Sequence, residues 1–392
     1  MLAPQTEQDL AETIKSAQAA LSVQGGGTRG FAPQGEALST RNLAGVSLYE
    51  PGALTLVAQS GTPLAEIETV LAQDNQRLAF EPMDHRTLLG SKGTPTLGGV
   101  MASNASGPRR LALGAARDFA LGVRFVDGAG QIIKNGGRVM KNVTGYDLVK
   151  LLCGSWGTLG VMTEISLKVL PMTETSTTLR LHNVDRHTAL EAMTRATNSP
   201  FETTGAAYVQ GDALLRLEGF ESSVAYRAQA MTERLAGLGE ISLETDQDGQ
   251  AILWRRVRDV DALKDHPLVW RVSLTPSAMV QSFLPHLERQ APVDVMLDWA
   301  GGLAWVGVSQ SHMTGTDLPD LHRVLQSSVA NPSYAGGGGG HATLVKAPAE
   351  VLAQVARFQP EPAALAALSA GLRAKFDPHH RLNAGLMEQV AA

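Results

Sequence analysis

The residues best suited to chemistry in this chain of 392 residues are glycines, with hydroxyl and amide side chains set among them. Residues 90–171 carry, in order, PTLGGVMASNASG, RDFALG, DGAG, KNVTGYDL and GSWGTLGVMTE. Loops of this kind present runs of backbone N–H groups, and successive N–H groups form nests that hold anions. Glycine also lets a ligand come close to the backbone, because it has no Cβ. Thr96, Gly98, Gly99, Ser103, Asn104 and Gly107 are therefore candidate contacts for a long anionic ligand, together with Gly157, Gly160 and Val161. An earlier loop, GGGTRGF, adds Gly26, Gly27 and Thr28 as candidates for holding a pyrophosphate. Arg109 and Arg110 suit phosphate neutralisation and equally a solvated surface pair, and Asp118 suits either a site role or the capping of a turn. The competing structural reading is a β-region in which each glycine merely makes a turn.

These loops need strands and helices to hold them. Residues 6–20 read as an amphipathic helix with Leu10, Ile14 and Ala17 on one face, and residues 21–24 as a strand running into GGGTRGF. Gly25, Gly27 and Gly30 satisfy G-x-G-x-x-G, but Phe31-Ala32-Pro33-Gln34-Gly35 follows where a dinucleotide-binding motif opens a helix. A strand at 55–59 precedes a helix for which Thr62 is the expected N-cap and Pro63 the first residue, with Leu64, Ile67 and Leu71 facing inward. Short strands at 122–126, 131–133 and 161–170 separate the glycine loops, and Lys141, Asn142, Gly145 and Asp147 precede the apolar run 148–152. Beyond residue 171 the order is strand, helix, two strands, helix, strand (178–181, 185–197, 206–209, 213–218, 222–238, 240–244), which is ferredoxin-like. Strands at 269–274 and within 295–308, the latter a hairpin turning at Gly301-Gly302, and a helix at 362–375 complete an α+β chain.

Composition narrows the function. A net charge of −5 and a pI near 6.1 give no basic footprint for nucleic acid. The single cysteine rules out a disulfide framework and a protein-held iron–sulfur cluster. Cys153 itself, between Leu152 and Gly154, reads as an inert core thiol. The first fifteen residues are too polar for a secretory signal, and no stretch approaches the roughly 20 apolar residues of a membrane span. A cytoplasmic location is expected, with peripheral attachment to the inner face of the membrane open through a partner.

The order and spacing of the glycine motifs resemble the FAD-binding domain of the vanillyl-alcohol oxidase/PCMH flavoprotein family. Within it, GPRRLALGAARDFALG, GGRVMKNVTGYDL and GSWGTLGVMTEISLKVLP are similar to the FAD-binding subunit of bacterial glycolate oxidase, over most of the chain. The resemblance implies a two-lobed PCMH-type FAD-binding domain over 1–172 (lobes about 1–80 and 81–172), a cap at 173–360, and a tail at 361–392 returning to the FAD domain. It implies one FAD, noncovalent because GGGTRGF lacks the His or Cys of covalent relatives. It further implies a small 2-hydroxy acid such as glycolate or D-lactate as substrate, and companion flavin and iron–sulfur subunits as partners. A stand-alone oxidase and a flavin-bearing relay or assembly subunit are the alternatives.

Arg271 is then the candidate partner for a substrate carboxylate, which favours a planar bidentate cation. Its other reading is a strand-edge arginine packed on Trp270 or Trp305. His341, after five glycines, is the second catalytic candidate. Metal-holding relatives place histidines near such a run, but the next acidic or histidine residue here is Glu350, so no metal is expected and a flavin-facing or structural role is favoured.

Overall fold

Residues 46–168 build a five-stranded antiparallel sheet, its three inner strands mostly buried and its two edge strands more exposed, in the order Val46–Glu50, Thr55–Gln59, Val161–Lys168, Ala120–Val126, Ile132–Gly136. The computed structural model describes residues 1–31, 34–139, 145–312, 317–335 and 339–387. Leu56, Phe125, Ile165 and Leu167 from this sheet pack on Ile67 and Leu71 of the helix Leu64–Ala72, and on Val100 and Met101 of the helix Leu97–Ser103. Thr6 starts the first helix, Glu7–Ser16: its hydroxyl accepts from the Asp9 N–H at 3.0 Å, while Asp9 accepts from the Thr6 N–H at 3.1 Å. This helix is shorter than expected, because Ala17 already has an extended ψ of 133°.

The second helix starts differently from the expectation. Pro63 occupies the N-cap position, and Thr62 is turned away. The fully buried Thr62 hydroxyl donates to Gln59 O at 2.7 Å and accepts from the Gly45 N–H at 2.9 Å, bracing the preceding turn. The glycine loop after Leu21–Gln24 runs into bends, and its next regular element is the strand Glu36–Ser39, parallel to Leu21–Gln24.

A second sheet of eight strands begins with the order Glu240–Glu244, Thr175–His182, Asp212–Gly219, Thr203–Val209. With helices Arg186–Thr197 and Glu221–Arg234 between them in sequence, this is the ferredoxin-like arrangement. The sheet then continues through Asp294–Asp298, Leu303–Val308, Leu268–Ser273 and His341–Lys346. Leu179, Leu215 and Leu217 pack on Met193 and Met231 of the two helices. Truncating any of these leucines to Ala should cost about 2–5 kcal/mol.

The two sheets are joined by buried ion pairs. Arg216 reaches Glu81 through two bonds of 3.1 and 3.0 Å, Arg109 reaches Glu218 at 2.9 Å, and Arg77 also reaches Glu218 at 2.9 Å. Burial alone would raise the Glu218 carboxyl, yet Arg216, Arg109 and Arg77 together hold it well below its ordinary value. After the helix Ala363–Phe376, the chain comes back to the first loops: Asn383 accepts from the Val23 N–H and donates to Trp156 O, both at 2.7 Å.

Candidate functional site

Gly26, Gly27, Thr28, Thr96, Gly98, Gly99, Gly157, Gly160 and Val161 line one groove, together with Arg29, Ser60 and Asn383. Three separate loops meet there because glycine lets them. A Cβ on Gly26 would sit 1.5 Å from Thr94 O, so nothing larger fits between the first and second loops. Gly27 has φ +69°, a conformation L residues rarely adopt. Gly99 differs from these. A Cβ there would meet nothing nearer than the Thr96 hydroxyl at 3.4 Å and Arg29 at 3.7 Å, so it would project into the groove itself. This cradle of backbone and small side chains, with a half-buried cation on its wall, fits the pyrophosphate and ring edges of a dinucleotide.

A second cavity of about 360 Å³ continues from the groove, since Phe31 and Trp156 line both. It lies between the glycine-loop unit and the eight-stranded sheet, and Ser103, Asn104, Arg271 and His341 all face it. Strand register explains the last two. Arg271 pairs with Thr343 and Ser273 with His341, and directly opposed residues share a face. Arg271, Ser273, His341 and Thr343 therefore project together into the cavity, while Trp270 points the other way and donates its indole N–H to His322 at 3.0 Å. Arg271 is thus neither on an edge strand nor packed on Trp270, although it does stand directly opposite Trp305 on the neighbouring strand. Its strand lies between two others, and its guanidinium stands 5.0 Å from the Trp299 ring centroid.

The cavity alters the titration of its groups. Burial, and then the nearby Arg110, push Arg271 down to about 10. His341 keeps an exposed edge at the open side of the cavity, and there desolvation, then Arg271 and Arg110, push it down to about 4, which favours a neutral imidazole at physiological pH. Burial lifts Asp298, one residue before Trp299, to about 7. Among the described residues, no group of three or more His, Cys, Asp or Glu side chains could hold a metal ion.

Three candidates lie outside both spaces. Arg109 spends its guanidinium on Glu218 and Glu81 in the joint between the sheets, so phosphate neutralisation is not its role. Gly107 serves the same joint: its carbonyl accepts the Trp299 indole N–H at 3.1 Å, and a Cβ would strike Glu81 O at 2.4 Å. Asp118 accepts from the Ala115 N–H at 2.8 Å and caps a short helix, the turn-capping role. Asp147 caps the helix Leu148–Leu152 and, with Gly145, lines a separate surface pocket. Lys141 and Asn142 lie outside the described residues. Burial pushes the Cys153 thiol up to about 12, which leaves it inert.

Sequence reasoning missed Arg29, His85 and Trp299. Arg29 is the cation of the first glycine loop and could have been read as a ligand to the same phosphate. It donates to His85 Nδ1 at 2.8 Å, and burial, opposed by Asp84, brings it to about 10. Burial first, and then Arg29, hold His85 neutral, well below the ordinary histidine value. Nothing in the local sequence marks His85 or Trp299, which reach the cavity only through folding.

The loop cradle and the two-sheet plan define a PCMH-type flavin-binding protein. A family described as "FAD binding domain" matches residues 1–136. The chain is 33% identical over 330 residues to the glycolate oxidase subunit GlcE of Escherichia coli, covering 83% of this chain and 85% of that one. It is 34% identical over 156 residues to the glycolate oxidase subunit GlcD of Bacillus subtilis, covering 36% of this chain and 32% of that one. The solved structure of an alkyldihydroxyacetonephosphate synthase superposes with a TM-score of 0.67 at 16% identity, over 98% of this chain and 76% of that one. The chain belongs to the family of FAD-dependent oxidoreductases that includes the Escherichia coli subunit.

Proposed function

We propose that this chain is a subunit of a glycolate oxidase-type complex that oxidises a small 2-hydroxy acid in the cavity between its two sheets. The observation that carries this reading is the register that aims Arg271 and His341 into one cavity continuous with the glycine groove. Gly27, Thr28, Gly99 and Arg29 would hold the pyrophosphate, and Ser103 and Asn104 the end of the ligand that enters the cavity. Bound there noncovalently, FAD would supply a two-electron acceptor for the α-carbon. Arg271 would hold the substrate carboxylate in bidentate fashion, and neutral His341 would take the proton of the α-hydroxyl. Trp156 and Trp299 would keep water away from the reacting carbon.

With one cysteine the chain holds no cluster of its own, so electrons would pass to an iron–sulfur partner. Residues 1–172 with the tail 361–392 would form the FAD unit and 173–360 the cap. No helix among the described residues is long and apolar enough to cross a membrane. The complex would be cytoplasmic or held at the inner membrane face by its partners. The test is anaerobic: the purified chain should bleach its flavin absorbance when glycolate or D-lactate is added. Turnover with a dye or quinone should require co-expressed flavin and iron–sulfur subunits. A flavin that stays oxidised under every 2-hydroxy acid, with those subunits present, would leave this chain only an assembly role. Rapid oxygen-linked turnover by the single chain would make it a stand-alone oxidase.

A further inference from the structure

Two cations face the same cavity, although a monocarboxylate needs only one. Arg110, on the short helix Arg110–Leu113, stands 4.4 Å from the Trp299 ring centroid, and Arg271 stands 5.0 Å from it. Both line the cavity that holds His341. Neither guanidinium makes an ion pair or a side-chain hydrogen bond among the described residues, which is costly for half-buried charges. The nearest opposite charges are weak or distant. Asp298 acts on Arg271 from a site where burial lifts its carboxyl to about 7, and Asp118 acts on Arg110 without touching it. The carboxylates that might have neutralised Arg110 are taken: Glu81 and Glu218 are bound by Arg109, Arg216 and Arg77.

Trp299 keeps the two arginines where they are. Its backbone lies at φ 52° and that of Ala300 at φ 55°, both strained for residues with a Cβ. Its indole N–H is anchored on Gly107 O at 3.1 Å, so the ring on which both guanidinium groups lean is fixed from two sides. Stacking on an aromatic face offsets part of the cost of an unpaired guanidinium but does not neutralise it. On the groove side, Arg29 with His85 already supplies a cation for the cofactor. If Arg271 takes one carboxylate with its planar fork, Arg110 remains for a second.

The geometry points to a substrate with two carboxylates, a small 2-hydroxy dicarboxylic acid whose 1-carboxylate binds Arg271 and whose distal carboxylate binds Arg110. This rests on the proposed 2-hydroxy-acid oxidation at the same cavity. The added carboxylate takes no part in the redox step. It supplies a second charge-assisted contact, so it discriminates between acids of the same reactive end.

The test uses the full-length chain loaded with FAD, without oxygen. Perturbation of the flavin spectrum is titrated with unreactive acids, acetate and propionate against malonate, succinate and glutarate. Flavin reduction is then followed with glycolate, D-lactate, D-malate and D-2-hydroxyglutarate. At least one dicarboxylate length should bind roughly tenfold or more tightly than the monocarboxylates, the worth of one charge-assisted contact. In Arg110→Gln that ratio should fall to near one, in Arg110→Lys most of it should return, and in Arg271→Gln both classes should weaken. Flavin content and melting temperature, compared across the variants, exclude a misfolded protein. Equal affinity for the two classes, or a preference that survives Arg110→Gln, overturns the inference. In that case reduction by monocarboxylates would still support 2-hydroxy-acid oxidation. Failure of every acid to bind or to reduce the flavin would overturn both readings.

Discussion

Arg109 and Arg110 are adjacent in sequence and opposite in circumstance. Arg109 enters a joint where three arginines, Arg77, Arg109 and Arg216, meet Glu81 and Glu218 at 2.9–3.1 Å. Arg110 enters a cavity where its guanidinium lies 4.4 Å from the centre of the Trp299 ring. A buried charge that is paired serves the fold, because removing its partner leaves an uncompensated ion. A half-buried charge that has only an aromatic face beside it is available to a ligand. The contrast shows that two arginines in a row carry no single role, and that pairing rather than residue type separates them.

The joint should break hardest. Glu218→Gln leaves Arg109, Arg216 and Arg77 facing a neutral amide, and should cost about 3–5 kcal/mol in denaturant unfolding. The Glu218 pKa is depressed in the folded state, so its contribution is present above the ordinary value of 4.5 and is lost as pH falls through the lower folded value. A loss under about 1 kcal/mol would mean that the pairs contribute little net stability.

In the groove, Gly99→Val should reduce FAD content roughly tenfold or more while the melting temperature of the apoprotein barely moves. The branched side chain occupies the ligand's space rather than the protein's. Full yellow colour in that variant would place the cofactor elsewhere.

On the cavity side, Arg271→Ala should lower kcat/KM of the assembled complex by roughly tenfold, about 1.4 kcal/mol, with stability unchanged. A parallel drop in melting temperature would move Arg271 into the structural class of Arg109.

The pH profile sharpens the same division. With His341 pushed down to about 4, kcat/KM should stay level from neutral pH down to about 5 and then fall by one proton's slope as His341 becomes charged and can no longer accept the hydroxyl proton. A fall already centred near 6.5 would mean that neither desolvation nor the two cations act on it.

The smallest effect belongs to Asp118. Asp118→Ala should cost about 1 kcal/mol through loss of a cap, with flavin content intact. Lost flavin would return Asp118 to the site.

Much of this was legible in the chain. Glycine spacing identified the groove loops, because glycine's conformational freedom is a property of the residue itself, and the βαββαβ order followed from local periodicity that needs no partner. The cap on Glu7–Ser16 was equally local, being set by residues three apart. Thr62 went the other way because Gly45, seventeen residues earlier, competes for its hydroxyl.

Which of the two adjacent arginines is paired could not be read in this manner. Arg109 is paired with Glu218, more than a hundred residues away, and Arg110 leans on Trp299, which lies at the end of a strand in the other sheet. His85 meets Arg29 across fifty-six positions. Sequence fixes which groups can ionise. Which of them are neutralised depends on distances between remote elements, and only the packing of the two sheets sets those distances.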